Sequence, residues 1–162
     1  MRHGVRIGID VGKARIGVSR SDPHGMLATP VETIKRDNSS RQDTAPEDRT
    51  RIISIVTELG AVEIVVGLPL ALSGATTAST SDAIGFAEAL AGASDVPVRL
   101  VDERLSTVSA QAALRASGRS ARTQRPVVDQ VAATIILQHA LDTERATGNP
   151  AGTLVDPTGG AS

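Results

Sequence analysis

The first part of the chain alternates apolar residues with polar or small ones, a pattern typical of β-strands that bury one face. Turn residues interrupt this alternation twice, at Gly12-Lys13 and at Asp22-Pro23-His24-Gly25. The pattern therefore predicts three strands joined by two short turns. The predicted strands cover residues 5–10, 15–19 and 27–34.

The rest of the chain changes to an alternation of helices and strands. Two short apolar runs, 62–66 and 96–101, are typical of buried strands. Apolar residues at helical spacing predict four helices, with Gly60 ending the first and Pro126 opening the last. The predicted helices cover 49–59, 82–90, 106–117 and 126–143, and the intervening loops include 37–46, 68–81 and a basic loop at 118–125.

This order of elements, βββ-α-β-α-β-α-α, predicts the α/β class. We expect a mixed five-stranded sheet, with a three-strand antiparallel meander and two parallel strands, flanked by helices. The same order is found in the ribonuclease H-like fold. A length of 162 residues suits one domain, placed at residues 1–145. The tail 146–162, rich in Gly, Pro, Thr and Ala, is expected to be disordered.

Composition excludes several classes of protein. The chain has no cysteine, so it carries neither disulfides nor a cysteine-bound metal. It has one Phe and no Tyr or Trp, which argues against modules that stack bases on aromatic side chains. No apolar run is long enough for a transmembrane helix, and the N-terminus lacks a secretory signal. A cytoplasmic protein without membrane contact is the expectation.

The charged residues are unevenly distributed. The 17 basic and 18 acidic residues nearly cancel, yet residues 1–20 carry a net charge of +4 and residues 104–125 a net charge of +5. Arginine, which matches phosphate with a planar fork, supplies 15 of the 17 cations. The two basic segments either form one phosphate-binding face or are two ordinary solvated surfaces.

Three acidic residues stand where chemistry is expected. Asp10 ends the first strand, Glu103 follows the last strand, and Asp129 lies in the predicted first turn of the last helix. Strand ends and a helix start can meet at one edge of a sheet, and carboxylates gathered there repel one another unless a cation sits among them. Mg²⁺ prefers such oxygen ligands, and a pair of these ions supports phosphodiester cleavage.

Each acid also has a structural explanation. Asp10 could favour the turn before Gly12, and Asp129 could complement the helix dipole. Glu103 could pair with Arg104 or Arg99 at the surface. Asp10 is the strongest functional candidate, because an acid in the apolar strand Ile7–Val11 needs a partner.

Four segments resemble the YqgF/RuvX family of ribonuclease H-like nucleases, in order and in spacing, and the resemblance covers about residues 5–141. The Asp-Glu-Arg-Leu-Ser-Thr segment is specific, whereas an Asp-x-Gly start is shared with other folds. The segments are Ile9-Asp10-Val11-Gly12-Lys13-Ala14-Arg15-Ile16-Gly17-Val18, Ile64-Val65-Val66-Gly67-Leu68-Pro69-Leu70, Asp102-Glu103-Arg104-Leu105-Ser106-Thr107 and Val128-Asp129-Gln130-Val131-Ala132-Ala133-Thr134-Ile135-Ile136-Leu137.

The resemblance implies a metal-dependent endonuclease that uses Mg²⁺ or Mn²⁺ and processes the 5′ end of pre-16S ribosomal RNA. It places the catalytic, metal-binding carboxylates at Asp10, Glu103 and Asp129. Together with the basic segments, it makes six cations candidates for nucleic-acid binding. These are Lys13, Arg15, Arg104, Arg119, Arg122 and Arg125.

Two segments depart from the family pattern. Leu-Pro-Leu is usually followed by Asn-x-Asp-Gly, but here by Ala71-Leu72-Ser73-Gly74, which removes a polar and an acidic side chain from that loop. The family tends to place a lysine before its last acid, where this chain has Arg125 and Pro126. Arginine is not an equivalent group.

Three alternative functions stay open from the sequence. Some family members are described as Holliday-junction resolvases, and such an enzyme would act on a four-way DNA junction as a homodimer with two sites. The segment from Asp10 to Val18 also resembles the phosphate hairpin of actin-like ATPases, although the chain is too short for their two lobes. A non-catalytic RNA-binding scaffold is the third alternative.

Overall fold

The structure, a computed structural model, describes residues 2–37, 46–104 and 121–157, and all of these side chains except 121–128. A single sheet runs through the described part of the chain. Its strands are β1 (Arg6–Val11), β2 (Arg15–Ser21), β3 (Ala28–Lys35), β4 (Glu63–Leu68), β5 (Val98–Asp102) and β6 (Thr153–Leu154). Their order across the sheet is β3-β2-β1-β4-β5-β6.

The predicted mixed sheet is confirmed. Strands β1, β2 and β3 form the antiparallel meander, and β1, β4 and β5 run parallel. The carboxyl ends of these three parallel strands therefore share one edge, which places the end of β1 near the end of β5. The strand count differs from the prediction, because β6 adds a sixth strand antiparallel to β5.

The helices cover both faces of the sheet. Helices α1 (Glu47–Leu59) and α2 (Ala78–Ala93) contribute Ile52, Phe86 and Leu90 to an apolar core on one face. Helix α3 (Ala121–Thr147) lies on the other face, where Ile136 and Leu137 pack in a second core. The left-handed residue Gly60 ends α1, as predicted.

All three described helices begin earlier than predicted, and α1 does so at Glu47 instead of residue 49. Helix α2 starts at Ala78 because Thr77 and Thr80 form a reciprocal capping box, with a threonine in the place of the usual Glu or Gln. Helix α3 starts at Ala121, so Pro126 lies inside it rather than at its first position, and residues 121–125 are helical rather than a loop. The predicted helix 106–117 lies outside the described residues.

The predicted disorder of the tail 146–162 differs from the structure as far as Pro157. Helix α3 continues to Thr147, and β6 then pairs with β5. Ala151 and Val155 are buried, and Arg99 donates to the Ala151 carbonyl at 2.9 Å. Two buried apolar residues, Ala151 and Val155, and the Arg99 hydrogen bond thus hold in place a segment whose composition predicted disorder. Residues 158–162 lie outside the described part.

Helix α3 approaches the centre of the sheet unusually closely. A Cβ at Gly8 would lie 2.7 Å from Leu137 Cβ, and one at Gly17 would overlap the Asp129 backbone. Ser19 donates to the Ala133 carbonyl at 2.8 Å. Small residues on β1 and β2 therefore allow the helix backbone itself to reach the strand ends. None of the described helices has the apolar length needed to span a bilayer.

Candidate active site

Asp10 lies at the carboxyl end of β1 between two positions that lack side chains. Gly17 is its partner on β2, and Gly67 lies on β4 one residue beyond the Ile9–Val66 pair. Burial raises the pKa of the Asp10 carboxyl to about 7, and the nearby carboxylates of Glu103 and Asp129 add to the rise. The three predicted acids thus come within electrostatic reach of one another.

Glu103 follows β5 directly, and its backbone N–H donates to the Leu68 carbonyl at 3.2 Å. Its carboxylate lies over Gly67, where a Cβ would overlap Oε2. This oxygen is buried without a hydrogen-bond partner among the described residues. Burial, followed by the negative charge of Asp102, raises the pKa of Glu103 to about 7.

Asp129 reaches the site on α3, over the neighbouring strand β2. Its backbone lies against Gly17, and its Oδ2 accepts a hydrogen bond from Arg15 Nε at 2.8 Å. Because α3 begins at Ala121, Asp129 is not in the first turn, and the sequence prediction was wrong on this point. The helix dipole acts mainly within the first turn, so it does not explain this acid.

The purely structural roles considered for Glu103, as a surface ion pair, and for Asp10, as a turn residue, are also not found. Arg104 pairs with Asp102 rather than with Glu103, through Nη2 at 2.6 Å and Nε at 2.9 Å from Oδ2. Arg99 donates to backbone carbonyls of the tail. The turn after β1 is closed by the Gly12 N–H, which donates to the Arg15 carbonyl, and not by the Asp10 side chain. Within the described residues, Glu103 has no cationic partner.

The donor chemistry of this site fits a divalent cation. Three carboxylates, one with a buried oxygen that no described group satisfies, form a hard-oxygen set of the kind that Mg²⁺ or Mn²⁺ accepts. The side chains are not drawn together as a ready cage, since no group of three His, Asp or Glu residues in the described ranges could hold a metal ion as placed. Asp10, Glu103 and Asp129 are the residues that would hold it.

The candidate nucleic-acid contacts divide into three groups. Lys13 is exposed in the turn after β1, without an ion pair to any described residue. Arg15 and Arg104 lie near the acids but are paired with Asp129 and Asp102. Of the other predicted contacts, Arg119 lies outside the described residues. Arg122 and Arg125 lie on α3, in the stretch whose side chains are not described.

Comparison of the sequence with known families shows which family the chain belongs to. The sequence model of the RuvX family, described as Holliday junction resolvase, matches residues 4–143. The chain belongs to the RuvX family. The family predicted from the four sequence segments is confirmed.

Relatives of this RuvX-family chain are similar over nearly its whole length. It is 65% identical to a protein of Clavibacter michiganensis subsp. michiganensis, over 96% of this chain and 93% of that protein. It is 66% identical to a protein of Leifsonia xyli subsp. xyli, over 97% of both. Both relatives are named "Putative pre-16S rRNA nuclease". By family and by relatives, the predicted nuclease class is supported.

Solved structures show the same fold. Thermus thermophilus RuvC in complex with a Holliday junction substrate aligns over 91% of this chain and 99% of that chain, with a TM-score of 0.54 and 19% identity. A second structure of Thermus thermophilus RuvC gives a TM-score of 0.53 at 17% identity. The predicted ribonuclease H-like fold is thereby confirmed.

Sequence reasoning missed the glycines that shape the RuvX-family site. Gly17 leaves room for the Asp129 backbone, and Gly67 for the Glu103 carboxylate. A signal was present, since glycine inside a strand often marks the close approach of another group. The loop that departs from the family pattern lies near Arg104, whose Nη1 donates to the Leu72 carbonyl at 3.4 Å. This contact uses only the backbone of the loop.

Proposed function

We propose that the chain is a metal-dependent endonuclease that hydrolyses a phosphodiester bond at the 5′ end of precursor 16S ribosomal RNA. The observation that carries the proposal is the uncompensated negative charge at the end of β1 and β5. There, the pKa values of Asp10 and Glu103 rise to about 7 and Glu103 Oε2 has no partner in the described residues. The names of the two relatives favour this RNA as substrate.

Asp10, Glu103 and Asp129 act as ligands of Mg²⁺ or Mn²⁺ in this proposal. A bound ion would supply a water of lowered pKa and would stabilise the negative charge on the departing oxygen of a phosphodiester. Asp10 lies between Gly17 and Gly67 of the two neighbouring strands, and the space over these glycines holds the Asp129 backbone and the Glu103 carboxylate. Glu103 and Asp129 approach it from β5 and α3. The products carry a 5′-phosphate and a 3′-hydroxyl.

Cations around the acids bind the phosphate backbone. Lys13 is exposed in the turn after β1, and Arg15 lies between that turn and Asp129. Arg104 stands at the end of β5, beside the acids. With Arg119, Arg122 and Arg125 these cations supply affinity and salt dependence, but no sequence readout. The single aromatic residue of the chain suits recognition of backbone shape better than base stacking.

The substrate also implies where the protein acts. Bacterial ribosomal RNA is processed in the cytoplasm, and we propose that compartment for this chain. A second candidate function, cleavage of a four-way DNA junction, is favoured by the description of the family and by the junction-bound RuvC neighbour. That function requires a homodimer with two sites.

A cleavage assay tests both candidates. Wild type and Asp10→Asn are offered a pre-16S leader RNA and a mobile four-way DNA junction, with Mg²⁺, with Mn²⁺ or with EDTA. We expect cutting of the RNA with either metal, none with EDTA, and a loss in Asp10→Asn greater than the roughly 10- to 100-fold loss typical of residues that only support metal ligands.

Asp95→Asn is the matched control, because Asp95 is an exposed carboxylate before β5, at the opposite edge of the sheet. It should cleave like wild type. Paired symmetric nicks in the junction alone, by a protein that sizes as a dimer, would replace the RNA substrate with the junction. Unchanged cleavage by Asp10→Asn would refute the proposed role of the acids.

A further inference from the structure

Arg36, the residue directly after β3, contacts the turn that follows β1 with both its main chain and its side chain. Its backbone N–H donates to the Ala14 carbonyl at 2.9 Å. Its Nη1 donates to the Gly12 carbonyl at 2.9 Å and to Asp82 Oδ2 at 2.8 Å, while Nη2 donates to Asp82 Oδ1 at 3.1 Å. The main chain and the side chain of one residue thus hold both ends of the turn formed by residues 12–14, called the hairpin turn below.

The Arg36 side chain is itself firmly held. It is 13% exposed, and its guanidinium carbon lies 5.3 Å from the centre of the Phe86 ring on α2. Its Nε is 3.7 Å from Asp48 Oδ2 on α1, which is an ion-pair distance, and makes no hydrogen bond to a described residue. Asp82 belongs to α2 and Asp48 to α1, so the guanidinium connects the hairpin turn to both helices of that face. The two-point pair with Asp82 fixes the orientation of the guanidinium, because the planar fork of arginine fits both oxygens of a carboxylate.

The hairpin turn is directly connected to the acids. Asp10 lies two residues before Gly12, and Arg15, which pairs with Asp129, begins β2 immediately after the turn. A shift of the turn would therefore move the Asp10 carboxylate and the Arg15–Asp129 pair together. Lys13, a proposed phosphate contact, is at the tip of the same turn.

We propose that Arg36 is a positioning residue of the nuclease, which fixes the hairpin turn through Gly12 and Ala14 and thereby sets the placement of Asp10 and Arg15. It acts through the turn and does not touch substrate or metal. The inference rests on the proposed function for its cleavage readout, but the structural half of it can be tested in the metal-free protein.

The first measurement follows amide hydrogen exchange in metal-free wild type, Arg36→Gln and Arg51→Gln. Arg51 is the matched control because it also forms a two-point pair, with Glu32, but has no contact with the hairpin turn. We expect faster exchange of the Gly12 amide, which closes the turn, in Arg36→Gln alone. Equal exchange at Gly12 in all three proteins would overturn the proposal.

The second measurement is cleavage as a function of metal and substrate. Arg36→Gln should lose about 10- to 100-fold in kcat and need more metal for half-maximal rate, with little change in KM, because no substrate contact is removed. Arg36→Lys should recover part of the loss, since lysine keeps one charged donor. A folded Arg36→Gln protein with the kcat and metal requirement of Arg51→Gln would overturn the proposal.

If Arg36→Gln does not fold, Asp82→Asn tests the same link, since it leaves Arg36 in place and loosens its anchor. It should speed exchange at Gly12 and lower kcat, and wild-type values for both would overturn the proposal. If wild type cuts neither RNA nor DNA, the proposed function has failed. The exchange at Gly12 then still decides whether Arg36 fixes the turn.

Discussion

Two charged clusters lie at opposite ends of the same central strands, and they are built differently. At the start of β1 and β4, Arg2 and Arg6 face Glu63 and Glu144, with Arg2–Glu63 and Arg6–Glu144 distances of 3.1 Å. At the ends of β1 and β5, Asp10 and Glu103 lie together, and no described cation pairs with either. Both clusters are largely buried, so burial does not distinguish them.

The balance of charge does distinguish them. Burial would raise the pKa of Glu144, but hydrogen bonds and charge from Arg2 and Arg6 hold it below its usual value. Burial raises the pKa values of Asp10 and Glu103 to about 7, with neighbouring acids adding to the rise. In the first cluster both carboxylates are paired with arginines of the chain, while Arg6 Nε and Nη1 are buried without a hydrogen-bond partner among the described residues. In the second, no cation of the described residues pairs with Asp10 or Glu103, which is the property expected of a metal and phosphate site.

The largest effect should come from breaking the first cluster, in which the carboxylates are paired with arginines. Glu144→Gln leaves Arg6 buried without its carboxylate and should lower the free energy of unfolding by about 3–5 kcal/mol. Urea denaturation measures this loss, and Glu58→Gln, at an exposed pair with Arg51, is the control. Cleavage at a temperature where the variant stays folded should match wild type. A stable variant that has lost cleavage would contradict the division of roles between the two clusters.

The next largest effect, on cleavage, should come from filling the space over Gly67 that the Glu103 carboxylate occupies. In Gly67→Ala the new methyl group would overlap Oε2 and lie 2.6 Å from Ile136 Cδ1, so the carboxylate must move. We expect a cleavage loss of about 10- to 100-fold, with a smaller loss of stability of about 1–3 kcal/mol. Gly85→Ala is the control, because nothing lies within 4 Å of its Cβ position on α2. Because alanine favours helix more than glycine does, Gly85→Ala should raise the stability of the protein slightly. Wild-type cleavage by Gly67→Ala would show that the position of Glu103 is not critical.

A smaller effect should appear in the pH dependence of the metal-free protein. The pKa of Asp10 rises on folding from 3.8 to about 7, so between these values the native state holds a proton that the unfolded chain has released. Stability therefore falls as pH rises through this window, by on the order of 1–3 kcal/mol. Asp10→Asn should flatten the fall and be more stable than wild type at pH values above about 7.

Denaturation at several pH values, with EDTA present, measures this difference. Asp95→Asn should keep the wild-type dependence, because its carboxylate is exposed. A wild-type protein whose stability rises over the same window would contradict the view that Asp10 is uncompensated. Added Mn²⁺ should stabilise wild type more as pH rises, because metal and proton compete for the same oxygens.

The smallest effect, on RNA binding, should come from removing a single exposed cation beside the cluster of Asp10 and Glu103. Lys13→Ala should weaken RNA binding and lower the slope of log affinity against log salt by about 0.7–0.9. Fluorescence anisotropy over a salt series, with EDTA to prevent cleavage, measures the slope. Arg20→Ala is the control, since Arg20 is an exposed cation on β2 that lines a cleft with α1. An equal change of slope in both variants would remove Lys13 from the binding surface.

Local patterns were sufficient for most of the fold. The alternation in residues 5–34 and the short apolar runs before Gly67 and after Pro97 are explained by burial of one or both strand faces, and each became a strand. The four family segments carried the acids with them, so Asp10, Glu103 and Asp129 were named before any geometry was known. Hydrophobic period and motif are properties of neighbouring residues, and the chain alone contains them.

Contacts that only the folded chain reveals decided the rest. The start of α2 depends on a local Thr77–Thr80 box that lacks the usual Glu or Gln, and the tail is held over a long sequence distance by the buried residues Ala151 and Val155 beside β5. The same is true of the charges: Arg104 pairs with Asp102, and Glu103 is left without a described partner. A residue's partner depends on which strands and helices pack together, and its pKa depends on the resulting burial. The sequence therefore identified the three acids, and the packing showed that Asp10 and Glu103 have no cationic partner among the described residues.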